Sequence, residues 1–246
     1  MCSGRESSAR PPLVLVHGLF DTPRVFDSLK RHLAGRRERL LLPALPLRFG
    51  IAPIQTSAQR LAGHIEAAFG ANEPIDILGF SMGGVIARTW IQQLGGHVRT
   101  RRFLSLGSPQ QGTLTAQPWP RLPLAGIADL KPGSTLLRQL NGDLSSLQGI
   151  ECCSYGTAVD LMVVPGWHGV LPIGPRRMLP VWSHQQLLRH PAALDALVEE
   201  LLRALRRFRP SMEVDADLGG HHAERPGRTT HRLGIFLGGT TRQPPW

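Results

Sequence analysis

Five consecutive residues, Gly79-Phe80-Ser81-Met82-Gly83, carry the clearest chemistry in this chain. They fit a strand that turns abruptly into a helix. The residue at such a corner is forced into strained backbone dihedrals, and its side chain projects above the sheet. Residues two positions either side crowd together there, so Gly79 and Gly83 have no side chain to clash. Ser81 would then stand at a helix N-terminus, where free N–H groups and the dipole favour developing negative charge. A phosphate-binding glycine turn is the other use of such residues. The Lys-Ser/Thr of a P-loop and the third glycine of a dinucleotide fingerprint are both missing. A serine hydroxyl becomes a nucleophile only when a base takes its proton, so a histidine and a carboxylate to orient it must come from elsewhere in the chain.

The elements that would hold Ser81 are legible around it. Pro12-Leu13-Val14-Leu15-Val16-His17 is a short apolar run ending at Gly18, as expected of a strand buried on both faces of a parallel sheet. Residues 22–34 read as a helix with Thr22 as N-cap and Pro23 at the first helical position. Leu40 to Leu42 form a second buried strand, stopped at Pro43. The spacing of Ile54, Ala58, Leu61, Ile65 and Phe69 predicts a helix. Ile75 to Leu78 form a third strand, followed by Gly79 and a helix through Leu94, and Phe103 to Leu106 form a fourth. This alternation predicts a mostly parallel sheet with helices on both faces. Pro109, Pro118, Pro120, Pro123 and Pro132 then break the pattern, and residues 112–149 read as an insertion after the fourth strand. Strands resume at Ile150 to Tyr155 and Arg177 to Trp182, about six in all. An apolar stripe from Leu194 to Phe208 predicts a last helix over 191–208. Residues 1–10 read as a flexible leader, and 209–246 as a disordered tail rich in Gly, His, Arg and Pro.

Composition removes several classes. No apolar run in the 246 residues approaches the ~18 needed to span a membrane. The opening Met1-Cys2-Ser3-Gly4-Arg5-Glu6-Ser7-Ser8 has no apolar signal segment, so a cytoplasmic location is expected. Three cysteines, Cys2 and the pair Cys152-Cys153, make neither a disulfide framework nor a zinc spacing. The 28 basic residues against 18 acidic give +10, and all but Lys30 and Lys131 of the basic set are arginine. Clusters at Arg36-Arg37-Glu38-Arg39, Arg99-Thr100-Arg101-Arg102 and Arg203 to Arg209 come without a nucleic-acid-binding motif. Aromatics are only 6%, so no nucleic-acid partner is expected; weak peripheral attraction to anionic lipid is.

Taken with Val14-Leu15-Val16-His17-Gly18, Gly79 to Gly84 and Leu106-Gly107-Ser108-Pro109-Gln110-Gln111-Gly112-Thr113, the chain resembles the α/β-hydrolase superfamily in its lipase and esterase branch, including GPI inositol-deacylase-like proteins. The third stretch is similar to a lipase motif with Gln110 where a histidine is usual. The likeness covers about residues 11–208 and is to the compact lipases. It implies the α/β-hydrolase fold, with the insertion over 112–149 lid-like, and a chain order of Ser, then acid, then His on successive strand ends.

On that order Ser81 is the nucleophile. Asp160, after Tyr155 to Val159, is the expected acid; Asp129 and Asp143 compete but lie in the insertion, where solvated surface is expected. His184, after Pro180 to Ser183, is the expected base, ahead of His168, His190 and the tail residues His221, His222 and His231. The oxyanion donors would be the backbone N–H groups of Met82 and Leu19, with Phe20 the alternative. His17 is expected to hold its loop, Asp21 to cap or turn, Asp76 to sit at a strand edge, and Cys152 and Cys153 to be small buried side chains. No metal or cofactor is implied. The expected activity is carboxylic ester hydrolysis, lipase- or esterase-like, through an acyl-enzyme on Ser81, with a lipid or small-molecule ester as partner. Trp119, Leu122, Leu124, Ile127, Leu130, Leu136 and Leu137 in the insertion would make a lid or acyl-binding wall, or pack ordinarily. A thioesterase or acyltransferase on the same triad and a non-catalytic binding domain are the alternatives.

Overall fold

A computed structural model describes residues 10–205. The leader apart from Arg10, the tail over 209–246 with its three histidines, and Phe208 lie outside the described residues.

Six strands form one sheet: β1 (Leu13–Val16), β2 (Leu40–Leu41), β3 (Ile75–Phe80), β4 (Thr100–Leu106), β5 (Glu151–Gly156) and β6 (Arg176–Met178). Their order is β2-β1-β3-β4-β5-β6, and every neighbouring pair is parallel. Successive side chains on a strand face opposite ways, and β1 shows the consequence. Leu13 and Leu15 pack with Phe26, Leu29 and Leu33 of the first helical segment and with Leu194 and Leu197 of the last. Val14 and Val16 pack on the other face with Ile54, Leu61, Ile65, Val85 and Ile86. All four β1 side chains are fully buried, each worth roughly 1.5–3 kcal/mol of burial. The helices are α1 (Asp27–Leu33) and α6 (Pro191–Leu202) on one face, and α2 (Ile54–Phe69) and α3 (Met82–Gln93) on the other. Two more, α4 (Ala125–Ala128) and α5 (Thr135–Gly142), lie between β4 and β5.

Several sequence expectations shift. Thr22 leads into a 3-10 turn, Pro23–Phe26, rather than directly into α1, and its side chain makes no cap. The second strand is two half-buried residues, because it is the sheet edge with one neighbour. β6 is three exposed residues and ends at Met178, four short of the expected Trp182; it too has a neighbour on one side only. The last helix stops at Leu202, since Arg203 leaves helical dihedrals (φ −62°, ψ 139°). The insertion does not stand apart: Leu130, Leu137, Leu140 and Leu147 join the core on the α3 face. Asp129, expected at a solvated surface, is buried; its Oδ2 accepts the Ile54 N–H at 3.1 Å and so caps α2, and Oδ1 pairs with Arg121 at 2.9 Å. Asp76 is likewise no solvated edge group: it is 1% exposed and ion-paired to Arg37 and Arg101. Cys152 and Cys153 are buried, as expected of small side chains, and unpaired.

Candidate active site

Ser81 occupies the corner between β3 and α3 with φ 54° and ψ −130°, a conformation that costs a non-glycine residue about 1–3 kcal/mol. The surrounding glycines show what holds it there. A Cβ on Gly79 would meet Gly84 Cα at 2.3 Å, and one on Gly83 would meet the Val16 carbonyl oxygen at 2.2 Å. Gly18, at the end of β1, comes so close that a Cβ there would stand 2.7 Å from Ser81 Cβ. The loop after β1 is therefore pressed against the serine. His17 fixes that loop as expected. Its Nδ1–H donates to the Gly18 carbonyl at 3.0 Å while Nε2 accepts the Leu45 N–H at 3.1 Å. Burial lowers its pKa, against the pull of the Gly18 carbonyl and Asp21.

His184 and Asp160 meet, although 24 residues separate them: Nδ1 of His184 lies 2.8 Å from Oδ2 of Asp160. The other carboxylate oxygen accepts the N–H groups of Met162 (2.8 Å) and Val163 (3.0 Å), so the loop after β5 orients the acid. His184 stacks on Phe80, the residue before the serine, at 4.7 Å between ring centroids. Gly107, at φ 53°, leaves room for the ring; a Cβ there would stand 3.1 Å from His184 Cε1. With Nδ1 on the carboxylate, Nε2 of His184 is buried and has no hydrogen-bond partner among the described residues. Buried polar atoms are nearly always paired, so this one is available to a ligand.

Ser81 and His184 line one cleft of about 660 Å³, together with Leu19, Phe20, Asp21, Phe49, Met82 and Asp160's neighbours Met162 and Val163. The insertion supplies much of the remaining wall through Thr115, Ala116, Trp119, Leu124, Ile127 and Leu130. Its apolar residues thus serve as wall and as core at once. The two loops expected to give oxyanion donors flank the serine. Neither the Leu19 nor the Met82 N–H has an acceptor among the described residues. The only non-glycine residues at positive φ among the described ones are Phe20 (63°), Phe49 (57°) and Ser81, and all three line this cleft. Phe20 and Phe49 pair at 5.8 Å between centroids.

Sequence reasoning missed Phe49, and it read Asp21 as a turn or cap residue. Asp21 does close a turn, its N–H donating to the Gly18 carbonyl at 3.3 Å, and it also lines the cleft, with burial raising its pKa and His17, His184 and Arg189 opposing. The competing residues stand elsewhere. His168 contacts the Gly112 carbonyl at 3.1 Å, His190 caps α6 through the Ala192 N–H at 3.3 Å, and Asp143 accepts the Ser145 N–H at 2.9 Å. Gln110 is buried; its Nε2 donates to Ser105 Oγ at 2.8 Å and its oxygens accept from Arg88. It braces the β4 loop where the resembling lipases carry a histidine.

The profile of the palmitoyl protein thioesterase family matches residues 12–139. The chain belongs to that family. The matched region runs from β1 through the Ser81 corner and most of the insertion. Among curated relatives, the lysosomal thioesterase PPT2 of Mus musculus is 28% identical over 105 residues, covering 41% of this chain and 34% of that protein. The chain therefore spans about a third of that relative's length. Among solved structures, the lipase BlEst2 of Bacillus licheniformis in mature form is similar with a TM-score of 0.63 at 15% identity, over 78% of this chain and 92% of that one. Lipase B of Aspergillus fumigatus has a TM-score of 0.63 at 16% identity, over 81% and 54%. The chain has the α/β-hydrolase fold of these lipases.

Proposed function

We propose that the protein is a serine hydrolase that cleaves acyl esters carrying a long apolar acyl chain. The observation that supports this most is the buried, unpartnered Nε2 of His184, held by Asp160, in the same cleft as a serine on a strained strand-to-helix corner. In this reading Ser81 Oγ attacks the substrate carbonyl and Nε2 of His184 accepts its proton. The Leu19 and Met82 N–H groups stabilise the oxyanion, each worth about 3–4 kcal/mol of barrier. His184 then returns the proton to the leaving group, leaving an acyl-Ser81 ester that a water, deprotonated by the same imidazole, hydrolyses. The cleft falls within the ~300–1,000 Å³ usual for small-molecule sites, and its mostly apolar wall suits an acyl chain.

Thioester cleavage is the second reading, favoured by the family match over 12–139. The acyl-enzyme is the same and only the leaving group differs, a thiol in place of an alcohol. On the cleft wall, Phe20, Phe49 and Trp119 are exposed, which supports peripheral contact with a lipid surface. No helix among the described residues is long and apolar enough to cross a membrane.

The test is labelling with a fluorophosphonate probe, followed by matched palmitoyl thioester and oxygen-ester substrates across a chain-length series. Labelling is expected in the natural protein and absent from Ser81→Ala and His184→Ala. A folded protein that stays unlabelled, or labelling that survives Ser81→Ala, overturns the proposal in favour of a binding domain. A preference for short acyl chains would remove the acyl-chain part alone.

A further inference from the structure

A second cleft lies away from Ser81. It occupies about 860 Å³ at the N-terminal ends of the strands, lined by residues just before β1 and β2 and by the first residues of β3 and β4. Asp76 on its wall and Ser81 are five residues apart along β3, roughly 16 Å at the rise of a strand. Seven arginines line it (10, 36, 37, 39, 101, 102 and 203) against two carboxylates, Glu38 and Asp76.

Most of these guanidinium groups are positioned from behind. Arg37 donates to the Leu201 carbonyl at 2.8 Å, to the Pro11 carbonyl at 2.9 Å and to Asp76 at 2.6 Å. Arg102 donates to the Glu200 carbonyl at 2.7 Å and pairs with Glu151 at 3.2 Å. Arg203 pairs with Glu151 and Glu200, and Arg39 with Glu73. Asp76 must serve both Arg37 and Arg101. Arg10 and Arg36, both exposed, have only backbone carbonyls as acceptors among the described residues: Arg10 donates to Arg36 and Leu202, and Arg36 to His32. Arg37 and Arg102, whose side chains are each 2% exposed, keep a buried Nε–H with no partner among the described residues. A floor of fixed guanidinium groups under two cations that lack a carboxylate is a built receptor for an anion with several acceptor oxygens.

We propose that this cleft binds a small anion carrying two or more phosphate groups. Guanidinium forks match phosphate oxygens in pairs, and a concave site concentrates the field of several such charges. The wall contains no aromatic side chain on which a base could stack, so the phosphates, not a nucleobase, are what it reads. The ligand is either a free pyrophosphate-like anion or a phosphorylated lipid headgroup; the chemistry recognised is the same.

The experiment titrates the full chain with inorganic pyrophosphate by calorimetry and thermal shift, with sulfate at matched ionic strength as comparator. In parallel, the protein is sedimented with phosphatidylcholine vesicles with and without phosphatidylinositol phosphate. Saturable pyrophosphate binding is expected, with a raised Tm and a clear weakening by salt. The double variant Arg10→Glu/Arg36→Glu should weaken it about tenfold or more, the scale of one lost charge-assisted contact, and leave ester hydrolysis unchanged. Arg36→Gln, a milder change at an exposed position, should weaken binding in the same direction if the double variant folds poorly. Sedimentation that needs the phosphoinositide and is competed by pyrophosphate identifies a headgroup; binding of pyrophosphate alone identifies a free anion. No saturable binding, equal binding by sulfate, or unchanged binding by both variants overturns the proposal. None of these outcomes bears on Ser81, so the two proposals fail separately.

Discussion

The two ends of the sheet are built on opposite terms. At the C-terminal ends of the strands the cleft is mostly apolar. Strained backbone collects there, in Phe20, Phe49 and Ser81, and the one imidazole nitrogen left open is buried. At the N-terminal ends the wall is rich in arginine, and among the described residues no non-glycine residue on it has a positive φ. Asp76, Glu151 and Glu200 are all ion-paired to its arginines. One end stores strain beside an unmet imidazole nitrogen; the other stores charge, with two buried guanidinium N–H groups also unmet among the described residues. The same alternating β1 and β3 side chains support both, so local sequence at each strand end, and not the fold, sets the difference.

The largest expected effect is at the strained end. Ser81→Ala should lower ester hydrolysis by about 10⁵–10⁶-fold, because members of a nucleophile–base unit act together. Its Tm should hardly move, since Ser81 Oγ makes no hydrogen bond among the described residues. Asp160→Asn should cost about 10⁴-fold by holding the wrong imidazole tautomer. Steady-state kinetics beside thermal melts separate the two quantities. A large loss of stability in Ser81→Ala would mean the corner is structural.

At the charged end the expectation inverts: stability falls and the rate per folded molecule stays. Asp76→Ala removes the shared partner of Arg37 and Arg101 and leaves Arg37, 2% exposed, without a counter-charge. Breaking a buried pair in this way costs about 3–5 kcal/mol, which a urea midpoint would register. A shift under about 1 kcal/mol, the range of exposed pairs, would show that water reaches Arg37 and would erase the contrast.

How much of this was legible follows the length over which a signal repeats. β1, β3, β4, α2, α3 and the Ser81 corner could be read because apolar runs and glycine crowding are local. Asp160 and His184 could be named only through the chain order of the resembling family, and the structure brings them within 2.8 Å. The Asp129 cap on α2, the Asp76 bridge and the seven-arginine cleft are pairings across 75 residues, across 39 residues and across the whole domain. No window of sequence contains them. β6 and the end of α6 were misjudged because an edge strand and a helix terminus are set by what packs on them, not by their own propensity.

A smaller effect tests the link between loop and serine through pH. His17 is neutral in its buried setting, with burial holding its pKa below the usual value. The unfolded chain binds the proton near pH 6.5 and the folded one only at lower pH. Folding stability should therefore fall as pH drops through about 6.5 toward the folded value. Asp21, whose carboxyl is raised, acts in the opposite sense in the acid range: its contribution is fullest below its unfolded value and is lost as pH rises through the folded one. His17→Gln should flatten the first slope, measured as urea midpoints across pH. An unchanged slope would assign it to another histidine.

The smallest effect asks whether strain at the candidate cleft is retained for use. Phe20 is 66% exposed and sits at φ 63°, where a Cβ costs about 1–2 kcal/mol. Its ring pairs with Phe49 at a worth of roughly 0.5–1.5 kcal/mol, which is no more than it costs. Comparing Phe20→Gly with Phe20→Ala removes the ring in both and the Cβ in only one. Glycine should be the more stable of the two by about 1 kcal/mol, read from chemical denaturation. Both should lose selectivity for long acyl chains, because the cleft loses one of its aromatic walls. If alanine proves as stable as glycine, the loop relaxes and its conformation is not imposed by its contact with Ser81. If selectivity survives in both, the ring contributes nothing to the acyl site, and the strain at Phe20 belongs to the backbone that presents the Leu19 N–H.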